Sequence, residues 1–284
     1  MNALTAVRRT SVLSRAENLD HFQSAQIIPL RPPLKWAGGK RWQLPYLRIL
    51  WRGHVKRRLV EPFAGGLAVT LGLRPASALL NDINPHLINF YRHLKAGLRI
   101  DLPMVNSRAS YTRNRKRFNT LVRDDLYSRE AAALFYYLNR TGYNGLCRFN
   151  RLGEFNVPFG RHNRIPYSRD FSEYTQAFKN WIFFSGDFER LPVEVGDFVY
   201  ADPPYDVEFT AYAKDGFDWD DQIRTAEWLA NHRGPVVLSN QATPRIVRLY
   251  RKLGFKLTFL NAPRMISCNG DRTPAKEILA IKNF

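Results

Sequence analysis

Two consecutive prolines, Pro203 and Pro204, close the apolar run 196–201 directly after Asp202. Neither proline can donate to a β-ladder and each fixes its own φ, so the run must end there as a strand and turn into a stiff loop. The following Tyr205 gives that loop an aromatic face. In open α/β sheets such a rim, at the carboxyl end of a strand, is where ligands bind. Asp202, the Pro203 and Pro204 carbonyls and Tyr205 suit an amino group on a flat heterocycle, with acceptors for its hydrogens and a ring to stack on. A plain strand-ending turn with a cap is the alternative reading of the four residues alone.

The rest of the chain alternates short apolar strands with helices. Strands are expected over 59–63, 78–82, 180–185, 197–201 and 235–239, with helices through 71, over 85–95 and over 218–232. Segments 255–260 and 277–282 are expected to pair as a terminal hairpin. This rhythm implies an α/β fold with a mostly parallel sheet covered on both faces. The stretch 98–175 interrupts it. Arginines are dense there, aromatics such as Tyr111, Phe118, Tyr143 and Phe159 are interleaved, and 130–140 has helical propensity. The expected organisation is a flexible basic extension over 1–30, a sheet domain made of 31–97 and 176–284, and an inserted, mainly helical basic domain over 98–175.

Charge narrows the function. Lys and Arg number 43 against 25 Asp and Glu, a net +18 over 284 residues. An excess of this size points to a polyanionic partner, most often nucleic acid. Arg115 and Arg117 in the first half of the insert, and Arg140 and Arg161 further on, are candidate phosphate contacts. Two cysteines, Cys147 and Cys268, exclude a disulfide framework and offer no zinc spacing, so no metal is expected. The default setting is a reducing, cytoplasmic or nucleoid-associated one, with the protein a monomer. No run of about 18 apolar residues is present to span a membrane.

A second constellation lies upstream. Glu61-Pro62-Phe63-Ala64-Gly65-Gly66 falls between a strand and a helix, where glycines let a ligand approach the backbone and the helix start offers free N–H groups. Asp82 ends the next strand, placed for ribose hydroxyls; capping the helix that begins at Pro85 is its other possible job. Together these indicate a nucleoside cofactor. Lys35-Trp36-Ala37-Gly38-Gly39-Lys40 has the wrong glycine spacing for a P-loop, and Arg41 follows the lysine; a ligand carboxylate facing Lys40 fits better.

In order, 35–40, 61–63, 81–84 and 202–205 resemble the motifs of the Dam-type DNA adenine-N6 methyltransferases, the alpha group of the D12 class. The resemblance runs from about residue 32 to the end. Segment 139–160 is similar to the recognition segment of members that methylate adenine in GATC, and 267–270 resembles the family's C-terminal loop. The resemblance implies a Rossmann-like S-adenosylmethionine-dependent methyltransferase sheet with an inserted DNA-recognition domain. It implies S-adenosyl-L-methionine as cofactor and double-stranded DNA as partner. Trp36, Lys40, Asp82 and Asp202 match cofactor-binding positions, with Glu61, Phe63 and Gly65 beside them. Asp202, Pro203 and Tyr205 match the group that grips a flipped adenine. Leu146 and Arg148 match base-reading positions, and Lys35, Asn144, Pro158 and His162 are further DNA-contact candidates. Leu67 stands where many members have a second glycine, and His162 where tyrosine is frequent. An RNA adenine methyltransferase and a catalytically silent DNA-binding protein are the competing readings.

Overall fold

The computed structural model describes residues 30–206, 217–262 and 275–284. The basic leader before residue 30, Cys268 and the 267–270 loop lie outside the described residues. Seven strands form one sheet: β1 (Leu59–Glu61), β2 (Ala78–Asp82), β3 (Trp181–Ser185), β4 (Phe198–Ala201), β5 (Val236–Gln241), β6 (Lys256–Ala262) and β7 (Ala275–Lys282). Their order is β3-β2-β1-β4-β5-β7-β6. The contacts among β1 to β5 are parallel, whereas β7 runs antiparallel to both β5 and β6. The expected terminal hairpin therefore exists, but its second strand is threaded between β5 and β6. This is a doubly wound, Rossmann-like architecture.

Strand alternation divides the core in two. Leu59, Leu80, Phe198 and Val237 face one side with Leu47, Trp51 and Leu71. Val60, Leu79, Val199 and Leu238 face the other with Leu229, Ile246 and Tyr250. Because both faces are covered, the strands read as continuous apolar runs. The helices are α1 (Leu44–Trp51), α2 (Ala68–Leu73), α3 (Pro85–Lys95), α4 (Arg108–Asp124), α5 (Arg129–Thr141), α6 (Ser172–Ala177), α7 (Trp219–Asn231) and α8 (Pro244–Lys252). Local signals start several of them. Asn84 caps α3 ahead of Pro85 and accepts from the His86 and Leu87 N–H groups. Asp218 and Asp221 form a capping box on α7.

β1 stops at Glu61, two residues short of the expected end, since Pro62 cannot continue the ladder. α1, α6 and α8 had not been read from the sequence. The inserted helices share the first core rather than forming a detached one: Phe118 of α4 and Phe135 of α5 join Phe90 of α3. The Phe90 and Tyr136 rings stack at 5.7 Å, and His86 stacks on Phe149 at 4.4 Å. Burial pushes the His86 pKa down to about 4, so this histidine is a neutral core ring. Among the described residues, no helix is long and apolar enough to cross a membrane, and no cluster suits a metal ion.

Candidate active site

The strand order reverses between β1 and β4, and both strands end at the same crevice. There a pocket of about 750 Å³ is lined by all the candidate cofactor and catalytic residues. Trp36, Lys40, Glu61, Phe63, Gly65 and Asp82 meet Asp202, Pro203 and Tyr205 in it. Residues separated by up to 169 positions in the chain are thus brought together, because β1 and β4 pair directly.

The glycine turn fixes one wall. Gly65 sits at φ +45°, and a Cβ there would come within 2.9 Å of the Trp36 indole nitrogen. A Cβ on Gly66 would lie 2.8 Å from that of Trp36. Any side chain here would displace the indole, so Trp36 is bedded on the turn. Leu67 adopts φ +60° in the position just before α2 and is fully buried. The backbone thus takes the left-handed conformation that suits glycine, without glycine. The Tyr91 hydroxyl donates to the Gly65 carbonyl at 2.7 Å and braces the turn from below.

Asp82 closes this wall. Its Oδ2 accepts from the Gly65 N–H at 3.0 Å and its Oδ1 from the Asn84 N–H at 2.9 Å. Capping of α3 belongs to Asn84, which leaves Asp82 tying β2 to the glycine turn with a lone pair on each oxygen still open. Burial raises its pKa, opposed by the two N–H donors. Glu61 is buried and accepts from Thr70 Oγ1 at 2.6 Å. Burial pushes its carboxyl up to about 8, against that hydrogen bond and with the help of the Asp202 charge. Phe63 lies edge-on to Phe217 at 5.7 Å and tilted against Phe188 at 5.4 Å, an apolar side to the crevice.

The proline corner is held from two directions. Lys40 Nζ pairs with Asp202 Oδ2 at 3.2 Å, donates to the Gly38 carbonyl at 2.8 Å and lies 4.5 Å over the Tyr205 ring. Lys40 thus lines the pocket with its charge shared with Asp202. Asp202 Oδ1 is buried without a partner among the described residues. Burial pushes the Asp202 carboxyl up to about 7 despite the pull of Lys40. The Pro204 carbonyl accepts from Gln222 Nε2 at 2.7 Å, whereas the Pro203 carbonyl has no hydrogen-bond donor among the described residues.

A polar layer beneath the corner was not read from the sequence. Gln43, fully buried, donates to Ser239 Oγ at 2.9 Å and Glu277 Oε2 at 3.0 Å, and its Oε1 accepts from the Tyr200 hydroxyl at 3.0 Å. Tyr205 reaches the same layer through Ser239 Oγ at 3.5 Å. Gln43 follows Lys40 by one turn, and its N–H donates to the Lys40 carbonyl at 3.0 Å. The layer thus anchors the lysine turn to β4, β5 and β7. No motif announces it, because single polar residues at strand ends carry no spacing signal.

The DNA-contact candidates divide. Asn144, Leu146, Arg148, Pro158 and Arg161 are exposed on the segment after α5. Asn144 and Arg161 both sit at positive φ, near +50°. Arg148 Nε donates to Asn156 Oδ1 at 2.8 Å across a small hairpin closed by the Phe149–Phe155 bridge. The others are drawn inward or paired. Arg140 donates to the Pro33 carbonyl at 2.5 Å and Arg115 to that of Val157 at 3.1 Å. The His162 ring bonds the Gly142 carbonyl at 3.0 Å. Arg117 makes a two-point pair with Glu130 at 2.7 and 2.6 Å. Lys35 is half-buried against Gly145. Cys147 accepts from Asn84 Nδ2 at 3.4 Å, and burial pushes its thiol up to about 12, which removes it as a nucleophile.

A Rossmann-like sheet thus brings a carboxylate-proline-tyrosine corner, a glycine turn and a strand-end aspartate into one crevice where the strand order reverses. The model of the D12 class N6 adenine-specific DNA methyltransferases matches residues 36–266, and the chain belongs to that family. The Retron Ec67 DNA adenine methylase of Escherichia coli is 36% identical over 270 residues, which cover 87% of this chain and 90% of the relative. A DNA adenine methylase of Vibrio cholerae is 38% identical over 272 residues, 87% of this chain and 94% of its own. A type II methyltransferase of Lactococcus lactis subsp. cremoris is 35% identical over 246 residues, 79% and 86% respectively. The activity is that of an adenine-specific DNA methyltransferase.

Proposed function

We propose that the chain transfers the methyl group of S-adenosyl-L-methionine to N6 of an adenine turned out of duplex DNA, within GATC. The observation that carries this reading is the Asp202 carboxylate, which has one oxygen held by Lys40 and the other buried in the pocket wall with no partner among the described residues. A buried acceptor left open costs about 1–3 kcal/mol unless something fills it. An exocyclic amino group fills it. The cofactor fits the same walls: Asp82 offers free lone pairs to ribose hydroxyls, and Phe63 with Phe188 offers an apolar face to a purine.

When bound, S-adenosylmethionine supplies an electrophilic methyl on a sulfonium. The residues do the rest. Adenine N6 is a weak nucleophile because its lone pair is shared with the ring. Hydrogen bonds from the amino group to Asp202 Oδ1 and the open Pro203 carbonyl favour a more tetrahedral nitrogen, whose lone pair then points at the methyl. Lys40 opposes the protonation that burial favours at Asp202, and Gln222 holds the corner through Pro204. Positioning and fixed electrostatics account for most of the rate. Turning the base out of the stack costs a few kcal/mol. Stacking on Tyr205, worth about 1–3 kcal/mol, offsets part of that. The exposed segment carrying Asn144, Leu146, Arg148 and Pro158 reads the site, with Lys35 reaching in beside it and Arg161 on the phosphates. GATC rests on the likeness of 139–160 to the segment of GATC-methylating members.

Expressed in a host without adenine methylation, the protein renders plasmid GATC sites resistant to a methylation-blocked nuclease and cleavable by a methylation-requiring one. Protection of a different sequence overturns the GATC assignment. Asp202→Ala abolishes transfer, a loss of at least about 10³-fold, and leaves duplex binding in place. Turnover retained in that variant removes the role given to Asp202.

A further inference from the structure

Asn139, near the C-terminal end of α5, is buried and is used by neither the pocket nor the exposed segment. Its amide pairs with the main chain of Lys35 in both directions. The Lys35 N–H donates to Asn139 Oδ1 at 2.9 Å, and Asn139 Nδ2 donates to the Lys35 carbonyl at 2.8 Å. The same Nδ2 lies 3.4 Å from the Gly145 carbonyl. The next residue, Arg140, grips the Pro33 carbonyl. Gly145 approaches so closely that a Cβ on it would come 2.4 Å from that of Lys35. One helix end therefore clamps two strips of chain side by side.

Those strips lead to opposite ends of the reaction. One residue past Lys35, Trp36 is bedded on the Gly65–Gly66 turn and lines the pocket. Around Gly145 the chain carries Asn144, Leu146 and Arg148, all exposed. Burial and the neighbouring Arg140 guanidinium both lower the Lys35 pKa, so the joint holds two cations that an anionic or acceptor-rich ligand would relieve. A surface whose spacing from the reacting corner is set by one amide can compare a base pair with the position of the chemistry.

We propose that Asn139 is a positioning residue for target discrimination: it sets the spacing between the pocket rim at Lys35–Trp36 and the reading segment at 144–148. The inference rests on the reading of that segment as DNA-facing given above. Asn139 touches no substrate. Its loss leaves the Lys35 N–H and carbonyl without their buried partner, and the two strips are free to shift. A shift of about 1 Å is enough to degrade a positioned reaction.

The test compares kcat and KM on a duplex carrying the unmethylated target site and on one with a single base pair of that site replaced. For Asn139→Ala the ratio of kcat/KM between the two duplexes falls about tenfold, the scale of one lost base contact. Affinity for S-adenosylhomocysteine stays within about twofold, as expected for a site it does not touch. Asn139→Asp keeps the acceptor for the Lys35 N–H and loses the donor, and falls between the two. A structural role alone lowers activity on both duplexes alike and leaves the ratio unchanged, which overturns the proposal. Arg148→Ala, run in parallel, separates the failures. If it relaxes discrimination and the Asn139 variants do not, only this inference falls. If neither does, the reading of 144–148 falls with it. Should Asn139→Ala not fold, the ratio for Asn139→Asp decides.

Discussion

The pocket and the basic insert both rely on charged side chains, but they hold them in opposite ways. In the pocket, Glu61, Asp82 and Asp202 are sunk among apolar walls, with Lys40 against Asp202, and each carboxylate has at least one specified donor. In the insert, arginines lie nearer the surface, where Arg115 and Arg140 brace carbonyls and Arg99, Arg117 and Arg123 pair with Asp170, Glu130 and Glu154. Burial explains the contrast. An unpaired buried charge costs several kcal/mol, so a pocket carboxylate must have its partner specified. At the surface, water pays little heed to which acceptor an arginine finds. Residue type therefore says much about role in the pocket and little in the insert.

Removing the pocket cation that pairs with Asp202 is the sharpest way to break this comparison. Lys40→Met keeps the length of the side chain and leaves Asp202 buried with no positive neighbour. The Asp202 carboxyl, already pushed up to about 7 with Lys40 present, moves higher. Transfer needs the ionised form, so the rate falls as pH drops through that pKa. The acid limb of the kcat/KM profile lies near pH 7 in the parent protein and moves to higher pH in the variant. At pH 7 the loss is roughly 10²-fold, on the scale of one lost electrostatic contact in an active site. A variant whose acid limb stays in place shows that Lys40 does not set the charge of Asp202.

The insert is tested by two arginines that look alike in sequence and differ in setting. Arg148 stands on the exposed hairpin with only Asn156 for support, whereas Arg117 is locked to Glu130. Arg148→Ala lowers discrimination at one base pair by about 1–3 kcal/mol, as for a lost guanine contact. Arg117→Ala leaves discrimination intact and changes melting temperature and the salt dependence of binding little, since an exposed pair contributes little. The measurement is the equilibrium affinity for matched and singly substituted duplexes over a salt series. Uniform weakening by Arg148→Ala on every duplex makes it a phosphate contact and erases the contrast with Arg117.

What the sequence made legible follows the same division. The β3-β2-β1-β4 half of the sheet was readable because its strands are short apolar runs stopped by Pro, Gly or Asp: Pro62 after β1, Asp82 at the end of β2, Gly186 after β3, Asp202 and Pro203 after β4. The pocket set was readable because its members lie at those strand ends, in order. Three things were not. The threading of β7 between β5 and β6 is a tertiary choice that strand propensity does not encode. The layer of Gln43, Ser239 and Glu277 joins residues up to 234 positions apart with no spacing rule. The internal partners of Arg115, Arg140 and His162, the carbonyls of Val157, Pro33 and Gly142, carry no sequence signal either. Composition counts arginines without saying which way they point.

Leu67 offers the mildest perturbation, at the turn where pocket and core meet. Its φ of +60° is disfavoured for a side chain by about 1–2 kcal/mol. Its burial is complete, and emptying a buried leucine site costs about 2–5 kcal/mol. The packing loss exceeds the strain relieved, so Leu67→Gly destabilises the protein by roughly 1–3 kcal/mol. The backbone is already in the conformation glycine would take: Leu67 N–H donates to the Ala64 carbonyl at 2.9 Å and the Leu67 carbonyl accepts from Leu71 at 3.0 Å. Turn geometry is therefore retained, and the affinity for S-adenosylhomocysteine does not change. The urea midpoint falls at constant slope, which isolates stability from compactness. A midpoint that rises instead shows that strain at this turn outweighs the leucine's packing, and that the pocket wall is held open at the expense of the core.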